Sequence, residues 1–246
     1  MSAKTLTIEG KAVLVTGANR GLGEALVEEA LRRGATRVYA GTRGPLVHPD
    51  GRVTPLTLDV TDPTQVRRAA EKVGSLDVLV NNAGVALPNE LSDRAALERH
   101  LAVNLFGTWG VTEAFLPLLT RTGGAVVNVV SVAALAAVPV LPAYSISKAA
   151  AFSLSQSLRA LLAGQGVNVH AVMAGPIDTD MVRGLDIPKT SPESVARGIL
   201  DGLARGDEEI FPDPMSETIA DRWRTGAAKA LERQNAALVP AEPVAA

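Results

Sequence analysis

Residues 16–23 read Thr-Gly-Ala-Asn-Arg-Gly-Leu-Gly, and what flanks them constrains the fold more than anything else in the chain. Lys11–Val15 before them is a short apolar, β-branched run; Glu24–Arg33 after them has helical apolar spacing and stops at Gly34. A strand that turns through glycines straight into a helix aims free backbone N–H groups and the positive helix end at one anion. The pyrophosphate of a dinucleotide fits that description. The plainer alternative is a tight turn, which glycine permits because it lacks a Cβ. Gly17, Gly21 and Gly23 are spaced Gly-xxx-Gly-x-Gly, which differs from the commonest dinucleotide fingerprint. The turn also lacks the Gly-Lys-Ser/Thr ending of a P-loop, which disfavours nucleoside triphosphate hydrolysis.

The remaining chain alternates strand-like and helix-like segments. Strands are expected at Val38–Thr42, Val53–Leu58, Asp77–Asn81, Ala125–Val130, Val167–Met173 and briefly at Glu209–Phe211. Helices are expected at Asp62–Val73, from about Asp93 to Leu119, at Tyr144–Leu162 and at Ser191–Ala204. Asp62 and Ser191 are placed as N-caps, each followed by Pro at the first helical position. Such alternation implies βαβ units and an α/β fold: a doubly wound, mostly parallel sheet of about seven strands flanked by helices, in one Rossmann domain over residues 1–246. The chain of 246 residues is 47% hydrophobic but only 3% aromatic, a composition suited to helices packed closely on a parallel sheet. The Pro- and Ala-rich tail, Leu238–Ala246, is expected to fray.

Composition also narrows function. A net charge of −2 gives no basis for binding nucleic acid or an anionic membrane. The absence of cysteine excludes disulfides, thiol catalysis and cysteine metal sites. No long apolar run marks a signal peptide or a span, so a cytoplasmic protein is the default. His48, His100 and His170 lie far apart without metal-ligand spacing and read as structural or surface residues; no metal is expected. Glu28-Glu29 and Glu208-Glu209 read as solvated faces, and Phe106 and Trp109 as core or subunit interface.

In dinucleotide folds an acidic residue about 20 positions beyond the glycines grips the ribose of NAD, while a basic one accommodates the 2′-phosphate of NADP. Here that position falls on Arg43, after Thr42, and no Asp or Glu lies between Val38 and Pro49. Arg20 inside the glycine turn is a second cation nearby. Both arginines could be solvated surface charges, but with the carboxylate missing they point to NADP(H) in preference to NAD(H). Asp59, ending the third strand, would face the adenine edge or serve as a turn residue.

Tyr144 and Lys148 share one face of a helix. A phenol, with a reference pKa of about 10, is a poor proton carrier at neutral pH, and a nearby ammonium favours its ionised form. The pair is therefore a candidate general acid/base. Ser131 stands thirteen residues earlier at the end of a strand, where parallel sheets line their ligand crevice. Asn104 sits in an apolar helical run, Leu101–Phe106, where it needs a partner. The apolar residues Leu135, Val138, Val140 and Leu141 join Ser131 to Tyr144 and are expected to wall a substrate pocket.

Taken in order, Thr16–Gly23, Asn81–Gly84, Asn104, Ser131, Tyr144-Ser-Ile-Ser-Lys148 and Gly175-Pro-Ile-Asp-Thr179 resemble the short-chain dehydrogenases/reductases in their single-domain form, over about Lys11 to Gly206. The resemblance implies reversible hydride transfer between a nicotinamide and a ketone or aldehyde. Tyr144 would move the proton, Ser131 orient the oxygen, Lys148 lower the Tyr144 pKa and hold the nicotinamide ribose, and Asn104 position a relay water. Gly17, Asn19, Arg20, Gly21, Leu22 and Gly23 would cradle phosphates, with Thr42 and Arg43 at the adenosine ribose. Asp59 and Val60 would flank adenine; Asn81, Ala83 and Gly84 would border the adenosine ribose; Gly175, Ile177 and Thr179 would meet the nicotinamide. A homodimer or homotetramer is implied, with a small carbonyl or alcohol as substrate.

The chain departs from the family pattern in four places, the first being Val130, which replaces the Ser often found beside the catalytic serine with little expected consequence. Ala174 replaces a frequent Pro, and the segment Met181–Pro188, where a substrate lid belongs, is short. Phe211-Pro-Asp-Pro-Met215 and an arginine-rich helix (Arg222, Arg224, Arg233) replace the usual Asp-Gly-Gly close, which weakens the case for a tetramer. The competing readings are an alcohol dehydrogenase running oxidatively, a cofactor-sensing regulator or scaffold without turnover, and a dehalogenase-like relative. Intact Tyr144 and Lys148 argue against the second, and the intact glycine turn against the third.

Overall fold

The computed structural model describes residues 6–87, 91–184 and 186–239. They build a seven-stranded sheet: β1 (Ala12–Thr16), β2 (Arg37–Thr42), β3 (Val53–Thr57), β4 (Val78–Asn81), β5 (Ala125–Val129), β6 (Asn168–Val172) and β7 (Glu209–Ile210). All pairings are parallel, in the order β3-β2-β1-β4-β5-β6-β7. This is the expected Rossmann architecture. Pro55 in β3 costs no ladder bond that the sheet needs, because β3 is an edge strand.

The helices are α1 (Gly21–Arg32), α2 (Pro63–Lys72), α3 (Arg94–Leu101), α4 (Thr108–Thr122), α5 (Pro142–Leu162), α6 (Pro192–Arg205), α7 (Pro214–Arg224) and α8 (Ala227–Ala236). Strand periodicity decides which of them covers which face. Val13 and Val15 of β1, with Val78 and Val80 of β4, pack under Leu26 and Ala30 of α1 and Ile199 and Leu203 of α6. Leu14 and Leu79, one step out of phase, pack under Val66 of α2 and Val111, Phe115 and Leu119 of α4. Both faces are thus sealed, as an all-parallel sheet requires. No helix among the described residues is long and apolar enough to cross a membrane.

Several expectations need correction. The long helix expected from Asp93 to Leu119 is α3 and α4 joined by a π turn at Ala102–Gly107. The arginine-rich end is two helices, broken at Thr225-Gly226. The expected tail lies outside the described residues from position 240 onward. Each acidic pair is solvated only at its first member: Glu28 is exposed and Glu208 half-buried, while Glu29 and Glu209 are buried. Glu29 is buried and bonded to Arg32 and Arg33, both at 2.7 Å, and the Arg32 hydrogen bond chiefly holds its carboxyl below the usual range, against the opposing effect of burial. Glu209 is buried against Lys229 at 2.9 Å and Arg159 at 2.8 Å, and accepts the Trp223 indole N–H at 3.0 Å.

Lys229 also meets Glu208 at 2.8 Å and Glu232 at 2.9 Å, so one buried ammonium from α8 holds carboxylates of β7 and of its own helix. A charge pattern that looks solvated in sequence is satisfied internally, because cations arrive from α5 and α8. Replacing Lys229 with Met should leave Glu209 and Glu232 with Arg159 as their one close cation among the described residues and cost about 3–5 kcal/mol, read as a lower midpoint in urea and on heating. An unchanged midpoint would show that the cluster carries no net charge interaction.

Candidate active site

The carboxyl ends of the strands converge where the strand order reverses, between β1 and β4, which is where open α/β sheets bind ligands. The glycine turn leaves β1 there with Gly17 at φ 66° and Gly21 at φ 54°, left-handed conformations that favour glycine. Gly23 is required for another reason: a Cβ on it would lie 2.0 Å from the Gly17 carbonyl oxygen. A Cβ on Gly17 would lie 3.0 Å from the Cα of Ala83. The β1 and β4 ends are clamped together. Thr16 Oγ1 accepts the backbone N–H groups of Asn82 and Ala83, both at 3.0 Å, and Asn82 Nδ2 donates to the Thr16 carbonyl at 2.9 Å. The sequence reading gave Thr16 and Asn82 no individual role; their side chains do the clamping.

Helix α1 begins at this turn without any side-chain cap, whereas Asp62, Asp93, Ser191 and Asp213 cap α2, α3, α6 and α7. Its first N–H groups are left for an anion. Around that end stand Asn19, Arg20 and Leu22 of the turn, then Thr42 and Arg43 after β2. Arg20 is exposed and reaches Asp180 at 3.5 Å, Thr42 donates to the Gly44 carbonyl, and Arg43 is exposed. Asp59 directs Oδ1 to the Thr61 backbone at 2.9 Å and hydroxyl at 2.7 Å, so that oxygen stabilises a turn. Val60 packs beneath Gly107, where a Cβ would fall 2.7 Å from its methyl. The Asn81 side chain is buried, donating to Thr112 and Asn128 at 2.9 Å, with its own Oδ1 unpartnered.

On the other side of the crevice, Thr179 lies close enough to Gly21 that a Cβ there would be 2.9 Å from its methyl. Thr190 pairs with Ile177 and closes the 178–190 segment back on itself. Gly175 donates its N–H to Asp213 Oδ2 at 2.8 Å, which ties this loop to the start of α7.

Ser131, Tyr144, Lys148 and Asn104 are brought together. Ser131 follows β5; its hydroxyl accepts the Ala133 N–H at 3.1 Å, donates to the Ala174 carbonyl at 3.3 Å, and lies near enough to the Tyr144 phenol to favour its ionised form. Lys148, one turn along α5, is buried with Nζ on the Val129 carbonyl at 2.8 Å and 5.7 Å from the Tyr144 ring centre. Asn104 occupies the π turn, a feature frequent at functional sites. Its Oδ1 accepts the Val85 N–H at 2.9 Å, and its Nδ2 donates to the Val85 carbonyl at 3.0 Å and Ser147 Oγ at 2.9 Å. A Cβ on Gly84 would sit 3.3 Å from Asn104 Oδ1 and 3.6 Å from Lys148 Nζ.

Burial pushes the Tyr144 phenol up, and the Ser131 hydroxyl only partly offsets this; part of the ring remains open to the crevice. Burial alone pushes the Lys148 ammonium down to about 8. The phenol is thus held protonated beside an ammonium close to its titration point.

Beside Ser131 lies a cavity of about 470 Å³. Leu135 and Val138 wall it as expected, but Val140 and Leu141 do not line it. Its opposite wall, Met215, Ile219, Arg222 and Trp223, comes from α7, which sequence reasoning missed as part of the pocket. His100 is a buried structural group, with Nδ1 on the Ala96 carbonyl at 2.7 Å and Nε2 accepting the Leu87 N–H at 3.0 Å. Among the described residues no cluster of His, Asp or Glu could hold a metal.

A family model for short chain dehydrogenases matches residues 11–189. The chain is 34% identical to the oxidoreductase UcpA of Escherichia coli K12, over 76% of this chain and 78% of that protein. It is 35% identical to a 1-deoxy-11-beta-hydroxypentalenate dehydrogenase of Streptomyces exfoliatus, over 88% and 90%. A short chain dehydrogenase from Burkholderia cenocepacia J2315, solved in complex with NADP, superposes with a TM-score of 0.85 at 38% identity, covering 93% of this chain and 98% of that one.

The uncapped α1 end and the glycine contacts fit the dinucleotide such proteins use. Gly23→Ala should therefore break the turn and weaken NADPH binding at least tenfold by fluorescence titration; retained affinity would contradict the steric argument. The chain belongs to the short-chain dehydrogenase/reductase family.

Proposed function

We propose that this oxidoreductase is an NADPH-dependent carbonyl reductase, acting reversibly on a ketone or aldehyde with apolar substituents, in a single dinucleotide-binding domain. The observation that carries the reading is the gathering of Ser131, Tyr144 and buried Lys148, whose ammonium lies 5.7 Å from the Tyr144 ring centre, beside an apolar cavity. A bound nicotinamide dinucleotide supplies the hydride in reduction and takes it up in oxidation.

The Tyr144 hydroxyl donates its proton to the carbonyl oxygen, and the Ser131 hydroxyl holds that oxygen in line. The Lys148 ammonium stabilises the phenolate left behind. Asn104, its carboxamide committed to Val85 and Ser147, is a positioning residue that fixes the loop and helix turn around Lys148. The resemblance gives it a relay water; both N–H donors of its side chain are taken, and the second lone pair of Oδ1 is left to accept from one. A phenol held protonated by burial suits the reductive direction, which consumes that proton.

Gly17, Asn19, Gly21, Leu22 and Gly23 would cradle the phosphates, Arg20 and Arg43 the 2′-phosphate, with Thr42, Asp59, Val60, Asn81, Ala83 and Gly84 along the adenosine and Gly175, Ile177 and Thr179 at the nicotinamide. The NADP complex of the Burkholderia protein supports the cofactor. The hydroxy group in the name of the Streptomyces relative supports an alcohol–carbonyl pair. Phe106 and Trp109, 56% and 48% exposed, are not core; with Ile146 and Leu161 of α5 they give a homodimer or homotetramer its apolar surface.

NADPH oxidation with a panel of aryl ketones tests the reading. Tyr144→Phe should lower kcat by about 10²–10⁴ with NADPH affinity kept. Reductive kcat should fall as pH rises through about 8, where Lys148 loses its charge. Arg43→Asp should shift preference toward NADH. Turnover equal in Tyr144→Phe, or tight NADPH binding without turnover of any carbonyl, would favour the sensor reading instead.

A further inference from the structure

The cavity beside Ser131 contains one feature that a generic apolar ketone does not use. Arg222 is the only charged side chain among those lining it. The guanidinium is exposed, and among the described residues it has no ion pair or hydrogen bond. Its neighbours on α7 are accounted for. Arg224 takes Asp221 at 3.4 Å. Trp223 donates its indole N–H to Glu209 at 3.0 Å and sets its ring edge-on to Phe152 at 5.3 Å. The indole is thereby fixed as wall and has no donor left for a ligand.

A solvated arginine on a helix is ordinary; an unpaired one lining an otherwise apolar cavity, whose other wall begins at the residues directly after Ser131, is not. The guanidinium is a planar fork of donors that matches a carboxylate in two-point contact. Val132 and Ala133, directly after Ser131 in the chain, line the same cavity as Arg222. One molecule can therefore present its carbonyl toward Ser131 and Tyr144 and lay an apolar body against Leu135, Val138 and Ile219. Its far end would then reach the guanidinium.

We propose that the substrate is an apolar oxo acid, or the matching hydroxy acid, whose carboxylate is bound by Arg222. The proposal rests on the reductase reading and names its substrate class. The carboxylate takes no part in the chemistry: the carbonyl carbon gains hydride, its oxygen gains the Tyr144 proton, and the acid group leaves unchanged.

The test compares γ-benzoylbutyrate with its methyl ester in the wild type, Arg222→Gln and Arg222→Lys. NADPH turnover is followed, and binding is measured by calorimetry in the presence of NADP. The wild type should show a lower KM and tighter binding for the acid. Arg222→Gln should raise that KM about tenfold, the range of one charge-assisted contact, with a much smaller change in the ester's KM. Arg222→Lys should recover part of the loss. Equal constants for acid and ester in the wild type, or a loss shared by both in Arg222→Gln, would overturn the proposal while the reductase reading stands. If neither compound is reduced, the aryl-ketone panel decides the reductase reading separately, and calorimetry decides whether the carboxylate binds through Arg222.

Discussion

The site depends on a backbone approach: Gly23 of α1 lies so close to the Gly17 carbonyl that no side chain fits between them. That approach sets the angle at which α1 leaves β1 and points its uncapped N–H groups into the crevice. Thr16 and Asn82 then lock the adjoining end of β4 to the same turn. With β1 and β4 fixed side by side, the loops that follow them are fixed too. Gly84 is carried against Asn104 and Lys148. The binding end and the proton-transfer end are thus parts of one rigid corner of the sheet.

The chemical end is assembled by two helices that each break a local rule. Asn104 is tolerated in an apolar helical run because a π turn opens there and Val85 and Ser147 take up its carboxamide. Lys148 is tolerated in the interior because its ammonium sits on the Val129 carbonyl, at the cost of a pKa near 8. Burial of both Tyr144 and Lys148 makes the pair responsive to a substrate oxygen, since each is held away from its pKa in water. Conflicts between local preference and tertiary placement are expected to gather at functional positions.

Much of this was legible in the sequence. The unbroken apolar runs around Leu14 and Leu79 marked central strands, and glycine spacing gave the turn. Ser131, Tyr144, Lys148 and Asn104 could be picked out by spacing and by misfit. What escaped was non-local. Glu208-Glu209 looks like surface until α8 folds back and brings Lys229, a contact that no window of sequence contains. The π turn leaves helical periodicity almost unchanged and so reads as continuous helix. The α7 wall was missed because Met215, Ile219 and Trp223 form an ordinary amphipathic pattern. Asp213, bonded to the Gly175 loop, and Trp223, set on Phe152 and bonded to Glu209, place that helix over the pocket.

The measurement that tests the central claim most directly is isotope transfer. NADPH deuterated at the transferring position is incubated with the protein and an apolar ketone, and the alcohol is analysed by mass spectrometry. The account predicts one deuterium at the carbinol carbon with the wild type and its loss with Tyr144→Phe. NADPH that binds tightly yet transfers no label to any carbonyl would contradict it.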